Sequence, residues 1–205
     1  MAITPSIRAL ITLDEYKRFK DPSTPAAGQL TNNDEHFQFL INAVGDVFRT
    51  YCNLPLIVED DTELRDGDGT SSALWLYRYP VVTGTGITFS ATEDRGFGPV
   101  ALTLGTDFKL RADTGELVRI TGIQAYKWPE GIQNLSITYR AGRWASTAVV
   151  DPDMKLWACR ATDWLNDMGP AIYGARLEGP NIVRPDDMPR PIKLGLQRYR
   201  RYARV

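Results

Sequence analysis

Two periods organise the apolar positions of this chain. Phe37, Leu40, Ile41, Val44, Val47, Phe48 and Tyr51 follow one another at spacings of 3, 1, 3, 3, 1 and 3. That places all seven on one face of a helix, started by Thr31-Asn32-Asn33-Asp34 and ended by Asn53 and Pro55. Met154, Trp157, Ala158, Ala161, Trp164, Leu165 and Met168 repeat the same spacing after Asp151-Pro152, an N-cap with proline at the first helical position, and before the stop Gly169-Pro170. Burying such a stripe is worth about 1.5–3 kcal/mol per large side chain. A lone helix in water does not collect it, so the two stripes are expected to pack together. A shorter helix opens at Thr12-Leu13-Asp14-Glu15, which reads as a capping box with Ile11 and Tyr16 at the staple positions, and stops at Asp21-Pro22 and Pro25.

Between the long helices the period becomes two. Phe108, Leu110 and Ala112 alternate with Lys109 and Arg111, and Leu135, Ile137 and Tyr139 alternate with Ser136, Thr138 and Arg140. These are strands with one wet face. In 73–79, Trp75, Tyr77 and Tyr79 share one face and Leu74 and Leu76 the other. Such a strand is expected to be covered on both sides, by core or by another subunit, which makes the three aromatics subunit-interface candidates. The expected fold is α+β: a small helical bundle of three main helices, a β-rich insertion between the second and third long helices, and an extended basic C-terminal tail. The expected boundaries are a body over 1–170, with helical core at 10–55 and 150–170 and insertion at 56–148, followed by the tail at 171–205.

Charge adds an asymmetry. Residues 1–170 carry 16 Lys/Arg against 22 Asp/Glu, whereas 171–205 carry 8 against 3, and no acidic residue follows Met188. An acidic body with a basic end points to an end built for a partner. Ile192, Leu194, Leu196, Tyr199 and Tyr202 interleave with Arg198, Arg200, Arg201 and Arg204, so the segment offers apolar anchors together with forked donors. With 43% hydrophobic and 24% charged residues the chain can build a packed core. No apolar run is long enough to span a membrane, and 1–13 lack the apolar region and cleavage site of a signal peptide. Cys52 and Cys159 are expected to be free thiols.

Candidate chemistry is thin. The single histidine, His36, excludes most histidine triads and multi-histidine metal sites. Asp113-Thr114-Gly115 spells the aspartic-protease tripeptide, but between two short strands it reads as a hairpin turn with Gly115 left-handed. The acidic run Glu59, Asp60, Asp61, Glu63, Asp66 and Asp68 lacks the later bidentate glutamate of a calcium loop and reads as a charged turn entering a strand. Asn134-Leu135-Ser136 is a glycosylation triplet on a strand. No catalytic residues, no metal ligands and no cofactor are assigned.

Several pieces in order resemble the head–tail connector (adaptor, head-completion) proteins of long-tailed bacteriophages. They are the opening 10–17 (LITLDEYK), the helix from Asp34-Glu35-His36-Phe37 to Tyr51-Cys52, and Asp66-Gly67-Asp68-Gly69-Thr70 before Leu74-Trp75-Leu76. Tyr79-Pro80-Val81, then 137–142 (ITYRAG) and the Pro152 helix complete the set, over about residues 10–168. The insertion is long for that family, and 171–205 carry none of its motifs. The resemblance implies a non-enzymatic neck protein of the virion, assembled in the host cytoplasm. It would form a homo-oligomeric ring, commonly of twelve, under the portal protein, complete the DNA-filled head and dock a stopper or tail-completion protein. DNA would pass through the lumen without sequence-specific binding, and an acidic body would keep it from gripping phosphate. Under this reading Ile192, Leu194, Leu196, Arg198, Tyr199, Arg200, Arg201, Tyr202 and Arg204 are the portal-binding candidates. The alternative is a nucleic-acid-binding module that uses the same basic aromatic end to hold phosphate and stack bases.

Overall fold

The structure is a computed structural model that describes residues 3–22, 33–83, 90–94, 99–168 and 188–200. The chain divides into two compact units, Met1–Ile57 with Trp144–Val205, and Val58–Arg143.

The first unit is helical. Helix α1 (Leu13–Lys20) starts at the expected capping box: the Thr12 hydroxyl accepts from the Glu15 amide, and the Glu15 carboxylate accepts from the Thr12 amide at 2.8 Å. Helix α2 (Asp34–Cys52) ends at Asn53, whose left-handed backbone reverses the chain. Its stripe turns inward: Leu40, Ile41, Val44 and Phe48 are buried, with Phe37, Val47 and Tyr51 packed beside them. Helix α3 (Pro152–Asp167) supplies Met154, Ala158, Ala161 and Leu165 to the same cluster, with Trp157 and Trp164 flanking it. The period missed Cys52, Cys159 and Thr162, which are buried as well. Gly45 is required by packing, since a Cβ there would lie 2.4 Å from the Arg8 carbonyl oxygen. The insertion leaves and returns at adjacent points, where Ile57 bridges Trp144 and the Trp144 amide donates to the Leu56 carbonyl at 2.9 Å.

The three-helix bundle with an extended tail does not hold. A fourth helix, α4 (Arg190–Leu196), followed by a single 3-10 turn (Gln197–Tyr199), lies within the helical unit. Met188, Ile192, Leu196 and Tyr199 are buried in its core. The segment is part of the fold because its apolar side chains fill that core. Residues 23–32, 169–187 and 201–205, which include the start signal Thr31-Asn32, the Gly169-Pro170 stop and most of the expected tail, lie outside the described residues.

The second unit contains two antiparallel four-stranded sheets. The first runs in the order β1 (Glu59–Gly67), β8 (Gly131–Ala141), β3 (Ser90–Asp94), β4 (Pro99–Leu102). The second runs β2 (Ala73–Trp75), β6 (Glu116–Thr121), β5 (Phe108–Arg111), with β7 (Gln124–Ala125) paired to β6. Their inner faces meet in one cluster: Leu74, Phe108 and Leu117 come from the second sheet, and Ala91, Leu135, Ile137 and Tyr139 from the first. The strand-rich insertion is therefore present, with more sheet than period two alone revealed.

Candidate functional site

Two regions carry the candidate residues. In the helical unit, Pro189 and Pro191 set the start of α4, where missing amide protons cost nothing. Ile192 and Leu196, four apart, face inward, and a Cβ on Gly195 would lie 2.1 Å from the Trp157 indole. The Tyr51 hydroxyl donates to the Lys193 carbonyl at 3.4 Å. Beyond the helix the Tyr199 ring tilts against Trp144 with centroids 5.7 Å apart, and its hydroxyl donates to Asp153 at 2.8 Å. Arg198 forms an ion pair with Asp153 and covers the Tyr199 ring, while Arg200 lies 5.0 Å over Tyr51.

Of the portal-binding candidates, Ile192, Leu196 and Tyr199 thus hold the segment to its own unit. Leu194 is 58% exposed. The exposed arginines Arg198 and Arg200 line the same stretch. Arg201, Tyr202 and Arg204 lie outside the described residues.

In the strand unit, registry sorts the side chains. Trp75 pairs with Glu116, which pairs with Arg111; Ala73 pairs with Val118, which pairs with Lys109. These residues share the outer face of the second sheet, opposite the buried Leu74, Leu117 and Phe108. Trp75 is 41% exposed, and Tyr77, just past the end of β2, is 67% exposed with the Arg65 guanidinium 4.0 Å over its ring. Tyr79 is half-buried against the inner cluster. Within the single chain Leu74 and Leu76 are buried while Trp75 and Tyr77 stay exposed, so the core covers one side of this segment and cover of the other side by another subunit is a matter for the assembly.

The first sheet has the opposite character. Asp60, Thr62, Leu64 and Asp66 of β1 point outward, next to Arg140, Thr138 and Ser136 of β8, with Thr92 and Asp94 of β3 beyond. Leu64 is 55% exposed in this polar surround, and Asp60 pairs with Arg140 at 2.9 Å. Sequence reasoning passed over Leu64, although one apolar residue in an acidic run was a readable signal.

The acidic run is a strand rather than a charged turn. Its inward carboxylates, Glu59 and Glu63, find partners inside the unit: Arg78 bridges Glu59 at 3.4 Å and Asp61 at 3.2 Å, and Oε1 of Glu63 accepts from the Tyr139 hydroxyl and from the Tyr77 amide at 2.7 Å, while its buried Oε2 has only the Arg65 guanidinium at 4.0 Å. Burial, with the hydrogen bond to Glu63, pushes the Tyr139 phenol well up. Arg119 and Glu93, both buried, pair at 3.2 Å. Asp68 accepts from the Thr70 and Ser71 amides at 2.8 Å, the Ser71 and Thr70 bonds holding its carboxyl below the usual range. No group of three metal-ligating side chains occurs among the described residues.

The other motifs resolve into structure. Asp113-Thr114-Gly115 turns β5 into β6, with Gly115 at φ 68° and its amide donating to Arg111. Asn134 is buried and caps Gly67 and Pro129 through its amide. His36 shares a 3.3 Å hydrogen bond with Asn166. Burial pushes the Cys159 thiol up to about 11, which suppresses thiolate chemistry. Among the described residues no helix is long and apolar enough to cross a membrane.

No protein-family model matches the chain, and no curated protein matches it. Solved structures do match in fold. A chain from a structure described as the neck of an empty GTA particle computed with C6 symmetry aligns with TM-score 0.64 and 15% identity, covering 100% of this chain and 96% of that one. A chain from the virion of a native gene transfer agent (GTA) particle aligns with TM-score 0.64 and 16% identity, with the same coverage. One from the neck of a native GTA particle computed with C12 symmetry gives 0.61 and 14%, again over 100% and 96%. This chain therefore has the fold of those chains across its length.

Proposed function

We propose that this chain is a structural neck protein of a phage-like particle, an adaptor rather than an enzyme. It assembles as a ring beneath the portal, completes the DNA-filled head and docks the stopper or tail while DNA passes through the lumen. The observation that carries the reading is the fold match over the whole chain to chains from neck assemblies computed with C6 and C12 symmetry. The ordered sequence resemblance to head–tail connectors points the same way independently. Leu194 and the arginines of 198–204 are the proposed portal contacts, with Ile192, Leu196 and Tyr199 fixing the segment that presents them. The nucleic-acid-module reading is weaker, because Tyr199, which would have to stack on bases, is buried. Particle production without this chain tests the proposal. The expected product is full heads that fail to join tails or that leak DNA; tailed, infectious or transducing particles at normal yield would sink it.

A further inference from the structure

Resting on the ring reading, we infer that neighbouring copies join through the two outer faces of the strand unit. The aromatic, basic face of the second sheet on one copy meets the acidic face of the first sheet on the next. Three observations carry this. Because the two sheets bury their inner faces in one cluster, their outer faces point away from each other. A contact between two different, oppositely directed faces is heterologous, so it repeats from copy to copy and forms a ring when the rotation closes.

The faces are complementary in charge. Lys109 and Arg111 edge the Trp75 face, where Arg111 neutralises Glu116 at 2.7 Å. Asp60, Asp66 and Asp94 outnumber Arg140 on the opposite face. Each face also carries apolar surface in a polar surround: Trp75 with Tyr77 at its margin on one, Leu64 between Asp60 and Asp66 on the other. An aromatic anchor against an aliphatic one, rimmed by opposite charges, is the usual anatomy of a protein interface. The occupant of the Trp75 face is thus a second copy of this chain, with Leu64 opposite Trp75.

Cross-linking of the full-length chain tests this. The double variant Leu64→Cys/Trp75→Cys is oxidised at high protein concentration, alone and on isolated portal; Cys52 and Cys159 are buried and serve as internal controls in the wild type. The expected product in at least one condition is a ladder of dimer, trimer and higher species. Each single variant should give no ladder, and rising salt should reduce the yield because the rim charges are screened. Absence of a ladder under both conditions overturns the interface, as does a Trp75→Cys single variant that stops at a dimer. Loss of tryptophan fluorescence on adding single-stranded DNA, abolished by Trp75→Phe and without any ladder, would assign the face to nucleic acid instead. Portal co-sedimentation separates the two claims: portal binding without a ladder removes only this interface, and a ladder without portal binding removes the neck reading.

Discussion

Glu15 takes part in two interactions at once. It closes the α1 capping box and accepts an ion pair from Lys155 of α3 at 2.5 Å, tying the first helix to the third. Burial alone would raise its carboxyl, but the bonds from Lys155 and Thr12 outweigh it and hold the pKa below the ordinary 4.5. A depressed carboxylate stabilises the fold fully above its unfolded value and loses that contribution as pH falls through the folded value. Glutamine can still close the capping box, so Glu15→Gln isolates the charge. Melting curves of wild type and Glu15→Gln should therefore differ most near neutrality and converge below pH 4.5. A gap that stays constant across that range would show that the ion pair contributes nothing.

The elements show why some of this fold was legible and some was not. Helices α2 and α3 announced themselves because their apolar residues keep the 3.6-residue period over four to five turns, and β5 and β8 because theirs keep period two. Strand β1 was hidden because its inward positions are Glu59 and Glu63 instead of apolar residues. Their partners Arg78 and Tyr139 are distant in sequence, so no local pattern marks the strand as half-buried. Helix α4 was hidden for a different reason. Its two prolines and basic residues read as a tail, and only Ile192 and Leu196 carry its apolar face. Gly195 gives a test whose sign is decided by packing. Alanine should raise helix propensity by about 0.8–1 kcal/mol in an undocked segment. In the docked helix its Cβ would displace the Trp157 indole, and overpacking of this kind costs about 1–3 kcal/mol. Gly195→Ala is expected to lower Tm, shift Trp157 fluorescence to the red and expose 188–200 to proteolysis. A raised Tm with unchanged fluorescence would mean that α4 does not pack on α3.

At the scale of the molecule, the candidate site was only partly readable. The aromatics Trp75 and Tyr77 stood out in the alternation of 73–79, but the face that Trp75 shares with Lys109 and Arg111 exists only through the pairing of β2, β6 and β5. The C-terminal residues stood out by charge, yet charge could not reveal that Asp153 and Tyr51 of the same unit engage them. The chain shares its fold end to end with chains from particle necks, and the proposed ring adds to that two sheets whose inner faces close on one core and leave their outer faces to neighbours. Electron cryo-microscopy of the purified chain mixed with its portal tests this most directly. The account predicts a closed ring of identical copies coaxial with the portal, each placing Trp75 against Leu64 of the next, around an open channel. A chain that remains monomeric and leaves the portal undecorated would contradict it.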